Sequence, residues 1–258
     1  MAYFAKEQSM RLFKTGLLII MIAAGPLIPA QAGTPASLQL RLGAAKVEIT
    51  PAPGTPLAGF GKRHGKGSTG AHDPLYARAV SLQTENRVFV FVSCDLVLID
   101  ENLRKTVLKK IREKKPLAGE NFLLTATHTH SGAGAIGGRL WERFIMGKFR
   151  RQVFEKITRE IAQAALLSME KTVPVSLEYG ERKIDALIEN RLDEKLAVPK
   201  TLKVLRFKTE AGKISAYFIL MAAHPTILPA SNLEFSADFP GVLNRTLEEQ
   251  SPGSVSLF

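Results

Sequence analysis

The sequence predicts an α/β fold: a mixed sheet with βαβ units and flanking helices, and a site at the C-terminal ends of the strands. Three observations lead there. Residues 88–94 read as a strand built on the apolar run Val88-Phe89-Val90-Phe91-Val92. Asp100 and Glu101 then open an amphipathic helix, 101–115, with Leu103, Val107, Leu108 and Ile111 on one face. A second apolar strand follows at 121–127. Strand, helix and strand at this spacing make a right-handed βαβ unit with parallel strands.

The remaining elements follow in chain order. Residues 33–42 read as a linker, polar as far as Gln39. Residues 46–50 alternate as a strand, and Pro51, Pro53, Gly54 and Pro56 then impose irregular structure. The glycine-rich loop 59–70, which contains His64, is either flexible surface or a pocket rim, with flexible surface as the default. Residues 72–78 lead into a strand at 79–83, and a turn at Glu85-Asn86 pairs it with 88–92 as a hairpin. A long amphipathic helix is predicted at 149–169 from the spacing of Val153, Phe154, Ile157, Ile161, Ala164 and Ala165. Just before it, Trp141 and Phe144 are open to two readings, core packing or a lipid-contacting lip, and core packing is the default. Strands are predicted at 173–179, 202–207 and 214–222, the last two as a hairpin about Glu210-Ala211-Gly212. A helix opens near Pro240 with Asp238 as its cap, and a further strand begins at 254.

Composition bounds the class. The chain has 258 residues, 45% hydrophobic and 23% charged, which describes a folded globular protein. The formal charge of +11 is spread along the chain without a nucleic-acid motif, so it reads as a solvated basic surface and no nucleic-acid partner is expected. Cys94 is the single cysteine, which excludes an intrachain disulfide, and its apolar setting predicts a buried, inert thiol. Residues 1–32 have the build of an export signal: Lys6, Arg11 and Lys14, then an apolar stretch at 16–24, then Ala30-Gln31-Ala32 before Gly33. That segment predicts a secreted, periplasmic or cell-surface protein, with an uncleaved anchor as the alternative.

The chemistry gathers at the strand ends. His128 and His130 stand two residues apart in Thr127-His128-Thr129-His130-Ser131-Gly132. In an extended segment such residues project to one side, roughly 6–7 Å apart at about 3.3 Å per residue. Two imidazoles so placed suit a divalent metal, most often zinc, with a position left for water; two solvated histidines are the plainer alternative. Asp95 and His128 are the first polar residues past the two parallel strands, at the edge where open α/β sheets place their ligands. Asp95 therefore reads either as a turn former or as a group that orients a histidine, and Asp238 as either a helix cap or a second such group. His224 again follows an apolar strand, which favours a site role over a buried, satisfied histidine. A metallo-β-lactamase-type centre also uses His-x-His, but follows it with Asp-His, where Ser131-Gly132 stands here.

With the His128–His130 motif, His224 and Ser236-Ala237-Asp238-Phe239-Pro240-Gly241 in this order, the sequence resembles the neutral/alkaline ceramidases and their bacterial homologues. Gly43-Ala44-Ala45-Lys46-Val47-Glu48-Ile49-Thr50-Pro51, His72-Asp73-Pro74-Leu75-Tyr76-Ala77-Arg78-Ala79, Ser93-Cys94-Asp95-Leu96 and Asn190-Arg191 agree with it. The resemblance implies a secreted or surface zinc amidase that splits ceramide into a sphingoid base and a fatty acid. It implies His128 and His224 as zinc ligands, His130 beside the metal as acid/base or oxyanion partner, and Arg191 lining the active site. The expected partner is a lipid amide substrate, met at a membrane surface. The family's longer sequences add a glutamate and a tyrosine ligand beyond the second histidine ligand. Residues 43–258 therefore read as the N-terminal part of a catalytic domain. Two alternatives share these residues: a zinc hydrolase of the same family acting on another N-acyl or ester substrate, and a non-catalytic secreted protein that binds lipid.

Overall fold

A strand apolar at successive positions needs cover on both faces, and residues 88–94 have it. In the computed structural model, which describes residues 39–258 apart from 186–187, 191–192 and 194–195, this run is strand β4 (Val88–Cys94). It lies inside a five-stranded sheet with β1 (Arg41–Glu48), β3 (Tyr76–Gln83), β5 (Phe122–Ala126) and the short β6 (Val173–Pro174), in the order β5-β4-β3-β1-β6. β3 and β4 pair antiparallel as the predicted hairpin. β4 and β5 pair parallel across helix α1 (Glu101–Arg112), as predicted for the βαβ unit. Asp100 caps that helix, its carboxylate accepting from the Leu103 amide at 2.7 Å.

The pleat sends alternate side chains to two different cores. Val90, Val92 and Cys94 of β4, with Ala77 and Ala79 of β3, face α1 and the long helix α3 (Arg151–Ser168). Burial pushes the Cys94 thiol up, in keeping with the inert thiol expected. On the opposite face Leu42, Val80 and Phe91 meet Phe207, Ala216, Phe218, Val255 and Leu257 of a second sheet. That sheet runs β11-β9-β8-β7, from β7 (Ser176–Lys183), β8 (Thr201–Lys208), β9 (Ile214–Leu220) and β11 (Val255–Leu257). Its outer face, Leu202, Tyr217 and Ile219, packs on Leu243 and Leu247 of helix α4 (Asp238–Gln250). The layers are thus helices, sheet, sheet, helix.

Several expectations need correction. The predicted linker 33–42 gives its last two residues to β1, because Arg41 and Leu42 pair with Gln83 and Leu82. The single strand predicted at 173–179 is split: Val173–Pro174 pairs with β1, and the chain then crosses to the second sheet as β7. The strand expected from 254 is present as β11, parallel to β9 and buried along its length. The loop 59–70 is anchored surface, with a 3-10 turn at Gly61–Arg63 and a two-residue strand β2 (Gly70–Ala71) that pairs with β10 (Glu234–Phe235). Residues 140–146, where core packing was the default for Trp141 and Phe144, form a short helix α2 (Leu140–Met146) with both rings exposed. Among the described residues no helix is long and apolar enough to cross a membrane.

Candidate metal centre

β5 delivers the chain to the C-terminal edge of the first sheet, and the loops after β4 and β5 brace each other there. Thr127 donates its amide to the Cys94 carbonyl and His128 to the Leu96 carbonyl. From Thr127 to Ser131 burial alternates residue by residue, although the strand itself has ended. Thr127, Thr129 and Ser131 point inward and are buried, while His128 and His130 point the other way. The hydroxyls find partners inside: Thr129 Oγ1 donates to the Ser236 carbonyl at 2.8 Å, and the Ser131 amide donates to Thr129 Oγ1 at 3.1 Å.

His128 sits at φ 66°, in the left-handed region that a β-carbon disfavours. The surrounding bonds hold it there. Its Nδ1 lies 2.5 Å from the Val97 carbonyl oxygen. A carbonyl only accepts, so Nδ1 carries the hydrogen, and in the neutral ring Nε2 keeps its lone pair for a ligand. This pairing of one imidazole nitrogen with a carbonyl is the arrangement that fixes a metal-binding tautomer.

His224 arrives from beyond β9, and its segment docks on the same loop. The His130 amide donates to the Pro225 carbonyl at 3.3 Å. The three rings then cluster. His128 and His224 stack with centroids 4.9 Å apart, and His130 meets them edge-on at 5.1 and 4.7 Å. Nε2 of His130 and Nε2 of His224 are 2.9 Å apart. Among the described residues His128, His130 and His224 form a group that could hold a metal, with one nitrogen from each all within 4.8 Å of one another. Two imidazole nitrogens on one tetrahedral zinc, at about 2.0–2.1 Å each, stand roughly 3.3 Å apart. The donor set therefore fits a borderline divalent ion such as zinc, which accepts three imidazoles and keeps a fourth position.

Of the other predicted residues, Asp238 braces the segment that follows His224. It too adopts a left-handed φ, 56°. Its Oδ2 accepts the Leu228 amide at 3.1 Å, four residues past His224, and its Oδ1 accepts the Phe239 amide at 2.7 Å. Burial pushes the Asp238 carboxyl up, against the pull of those amides. The helix begins at Asp238 itself, after Ala237, so the carboxylate is spent on these amides. Asp95 reaches the same sheet edge but is wholly buried and bonded elsewhere. Its Oδ2 accepts from the Tyr76 amide and from Arg78 Nη1, both at 2.8 Å. Burial pushes its carboxyl up while Arg78 pulls it down. It holds the start of β3 against the end of β4. Arg191 lies outside the described residues.

Two contributors were missed. Asp73 accepts from Ser236 Oγ at 2.5 Å and from the Ala237 amide at 2.9 Å, which ties residues 72–73 to the segment that opens α4. Arg63 is buried beneath the site at 2% exposure. It donates to the carbonyls of Ala58 (3.0 Å), Asn232 (3.0 Å) and His130. Desolvation lowers its pKa to about 10, so it stays charged at neutral pH. A lysine or arginine in a glycine-rich loop gives no local sign that it folds inward, and its partners lie as far away as residue 232. Replacing Arg63 with methionine leaves those carbonyls without their donor. A loss of about 3 kcal/mol is expected, at about 1–3 kcal/mol per unsatisfied buried group. Thermal denaturation measures it.

Gly59 shows how close the packing is. Its φ is 106°, and a β-carbon there would stand 2.6 Å from Cγ of His130. Gly59→Ala should displace His130 and weaken metal binding, read by titration, while the fold away from the loop persists by circular dichroism.

Residues 40–256 match the family model described as neutral/alkaline non-lysosomal ceramidase, N-terminal. The neutral ceramidase of Pseudomonas aeruginosa is 25% identical over 243 residues, covering 88% of this chain and 36% of that protein. Neutral ceramidase A of Dictyostelium discoideum is 27% identical over 206 residues, covering 73% of this chain and 29% of that protein. The crystal structure of the Pseudomonas aeruginosa enzyme superposes with a TM-score of 0.79 at 25% identity, covering 86% of this chain and 38% of that one. The chain spans about a third of the length of the curated relatives it matches. On the family match across 40–256 and the shared fold, the chain belongs to the neutral/alkaline non-lysosomal ceramidase family, through that family's N-terminal region.

Proposed function

We propose that this chain provides the histidine side of a zinc-dependent amidase site that cleaves N-acyl sphingosine into a sphingoid base and a fatty acid. The observation that supports it best is the convergence of His128, His130 and His224 at one sheet edge, in a member of this family. His128 and His224 are assigned as zinc ligands, and zinc bound there would supply a Lewis acid that activates water and polarises a carbonyl at neutral pH. In the net reaction the oxygen of water bonds to the carbonyl carbon, the C–N bond breaks, and the amine nitrogen leaves with a proton. His130 is assigned to that proton or to the developing oxyanion, because its Nε2 faces the cluster and its ring is fixed edge-on against Phe60 at 4.7 Å. Arg191, on its resemblance to the family's Asn-Arg motif, is assigned to substrate contact. Export through residues 1–32 belongs to the same reading and puts the substrate outside the cytoplasm.

The test is release of fatty acid from a panel of N-acyl and ester lipids, before and after chelation. Hydrolysis of N-acyl sphingosine that stops with chelator and returns with zinc supports the proposal. Turnover of esters or other N-acyl compounds alone supports a related hydrolase. A zinc-loaded chain with no turnover on any of them favours a non-catalytic lipid binder.

A further inference from the structure

The exterior of α2 is inverted relative to an ordinary surface helix. Leu140, Trp141 and Phe144 are 81%, 53% and 68% exposed, while the polar Glu142 faces inward, its Oε2 accepting the Arg139 amide at 2.7 Å. Spacings of three and four residues put the three apolar side chains on one helical face. Large apolar groups clustered in the open, rather than scattered singly, mark an interaction surface.

The charges around them have one sign. From Gly138 to Gln152 the only acidic residue is Glu142, and it is buried. Arg139, Arg143 and Lys148 are exposed, and so is Lys62 on the neighbouring 3-10 turn. That turn touches α2 directly, since a β-carbon on Gly61 would meet the Phe144 ring at 2.4 Å. An apolar tip with Trp and Phe, ringed by Lys and Arg, matches the boundary between acyl chains and anionic headgroups. A protein partner with an acidic rim is less well matched, because the apolar tip projects rather than forming a groove.

The same elements adjoin the metal centre. Gly59 donates its amide to the Ile145 carbonyl of α2. Phe60 packs edge-on to His130, and Gly61 lies under Phe144. One short segment therefore links the exposed tip to the histidine cluster.

We propose that α2 is a bilayer-docking lip, in which Leu140, Trp141 and Phe144 enter the interface of an anionic membrane while Lys62, Arg143 and Lys148 engage its phosphates. The proposal does not rest on the amidase reading, and the test uses vesicles that contain no amide lipid. Trp141 is the only tryptophan, so its emission reports the lip alone. The purified chain is mixed with phosphatidylcholine vesicles with or without phosphatidylglycerol. Expected are co-sedimentation with the anionic vesicles, a blue shift of Trp141 emission, and quenching by brominated acyl chains. Leu140→Ser, at a side chain with little packing to lose, should lower partitioning about fivefold to tenfold. Arg143→Gln with Lys148→Gln should lower it about tenfold or more. Circular dichroism confirms that each variant is folded. Three results would overturn the proposal: no sedimentation with anionic vesicles, sedimentation without change in Trp141 emission or sensitivity to these substitutions, or an emission shift that follows protein concentration alone, which would assign the lip to a second copy of the chain.

Discussion

Replacing His128 with alanine should lower zinc affinity by about two to three orders of magnitude. Zinc sites bind with about 10–16 kcal/mol shared among three or four ligands, which leaves about 3–4 kcal/mol for each imidazole. The loss should be specific. His128 is exposed on the side away from the packed hydroxyls of Thr127, Thr129 and Ser131. Removing its ring also relieves a left-handed backbone only in part, since alanine keeps a β-carbon at φ 66°. Loss of the Nδ1 bond to the Val97 carbonyl should lower the melting temperature of the metal-free chain by a few degrees, at about 1 kcal/mol. His224→Ala should match the effect on zinc, because the two rings stack at the same point. Isothermal titration of zinc into both variants checks the expectation, and any activity of the wild-type chain should fall with it.

The second large effect concerns stability alone. Arg78 is buried between the sheets, with Nη1 2.8 Å from Asp95 and Nε 3.1 Å from Glu248, and Lys46 completes the cluster through Glu248 at 2.6 Å. The attraction of these carboxylates raises the Arg78 pKa even though burial opposes it. Replacing Arg78 with methionine strands the Asp95 carboxylate without its counter-charge, at about 3–5 kcal/mol. For a chain of this size that is a fall in melting temperature of about 10 °C. The pH dependence has a definite sign. Burial raises the folded-state pKa of Asp95 above its unfolded value. The folded state is then favoured below the unfolded carboxylate pKa of about 3.9, and that advantage is lost as pH rises through the folded value. In Arg78→Met the deficit should be largest at neutral pH and shrink on acidification. The double variant Arg78→Met with Asp95→Asn should recover part of it at neutral pH.

What could be read from the sequence divides along the range of the forces involved. β4, α1, β5 and α3 were legible because hydrophobic periodicity is written within a dozen residues, and the bounds agree to within three residues or fewer. The histidines were legible as strand-end residues, and parallel pairing of β4 with β5 brings the His128 loop to the expected edge. That His130 packs against both other rings was not, because the approach of His224 depends on Pro225 meeting the His130 amide across 95 residues. Asp95 was assigned by its position past a strand, yet the partner that claims it, Arg78, sits on the adjacent strand and carries no local mark of burial. Arg63 escaped notice for the same reason. The stacking of two sheets, with Phe91 against Phe218 at 5.3 Å, joins residues whose strands look alike whether they stack or stand alone. α2 was obscured because apolar residues at helical spacing normally turn inward, and here they do not.

His128 and His224 are assigned to one metal ion, with His130 beside it. Zinc titrated into the labelled chain, followed by the imidazole nitrogen and carbon-bound proton resonances of its five histidines, tests it most directly. The account predicts that His128, His130 and His224 shift together and saturate at one zinc per chain, while His64 and His72 remain unmoved. Saturation without movement of those three rings, or zinc held at His64 or His72 instead, would contradict it.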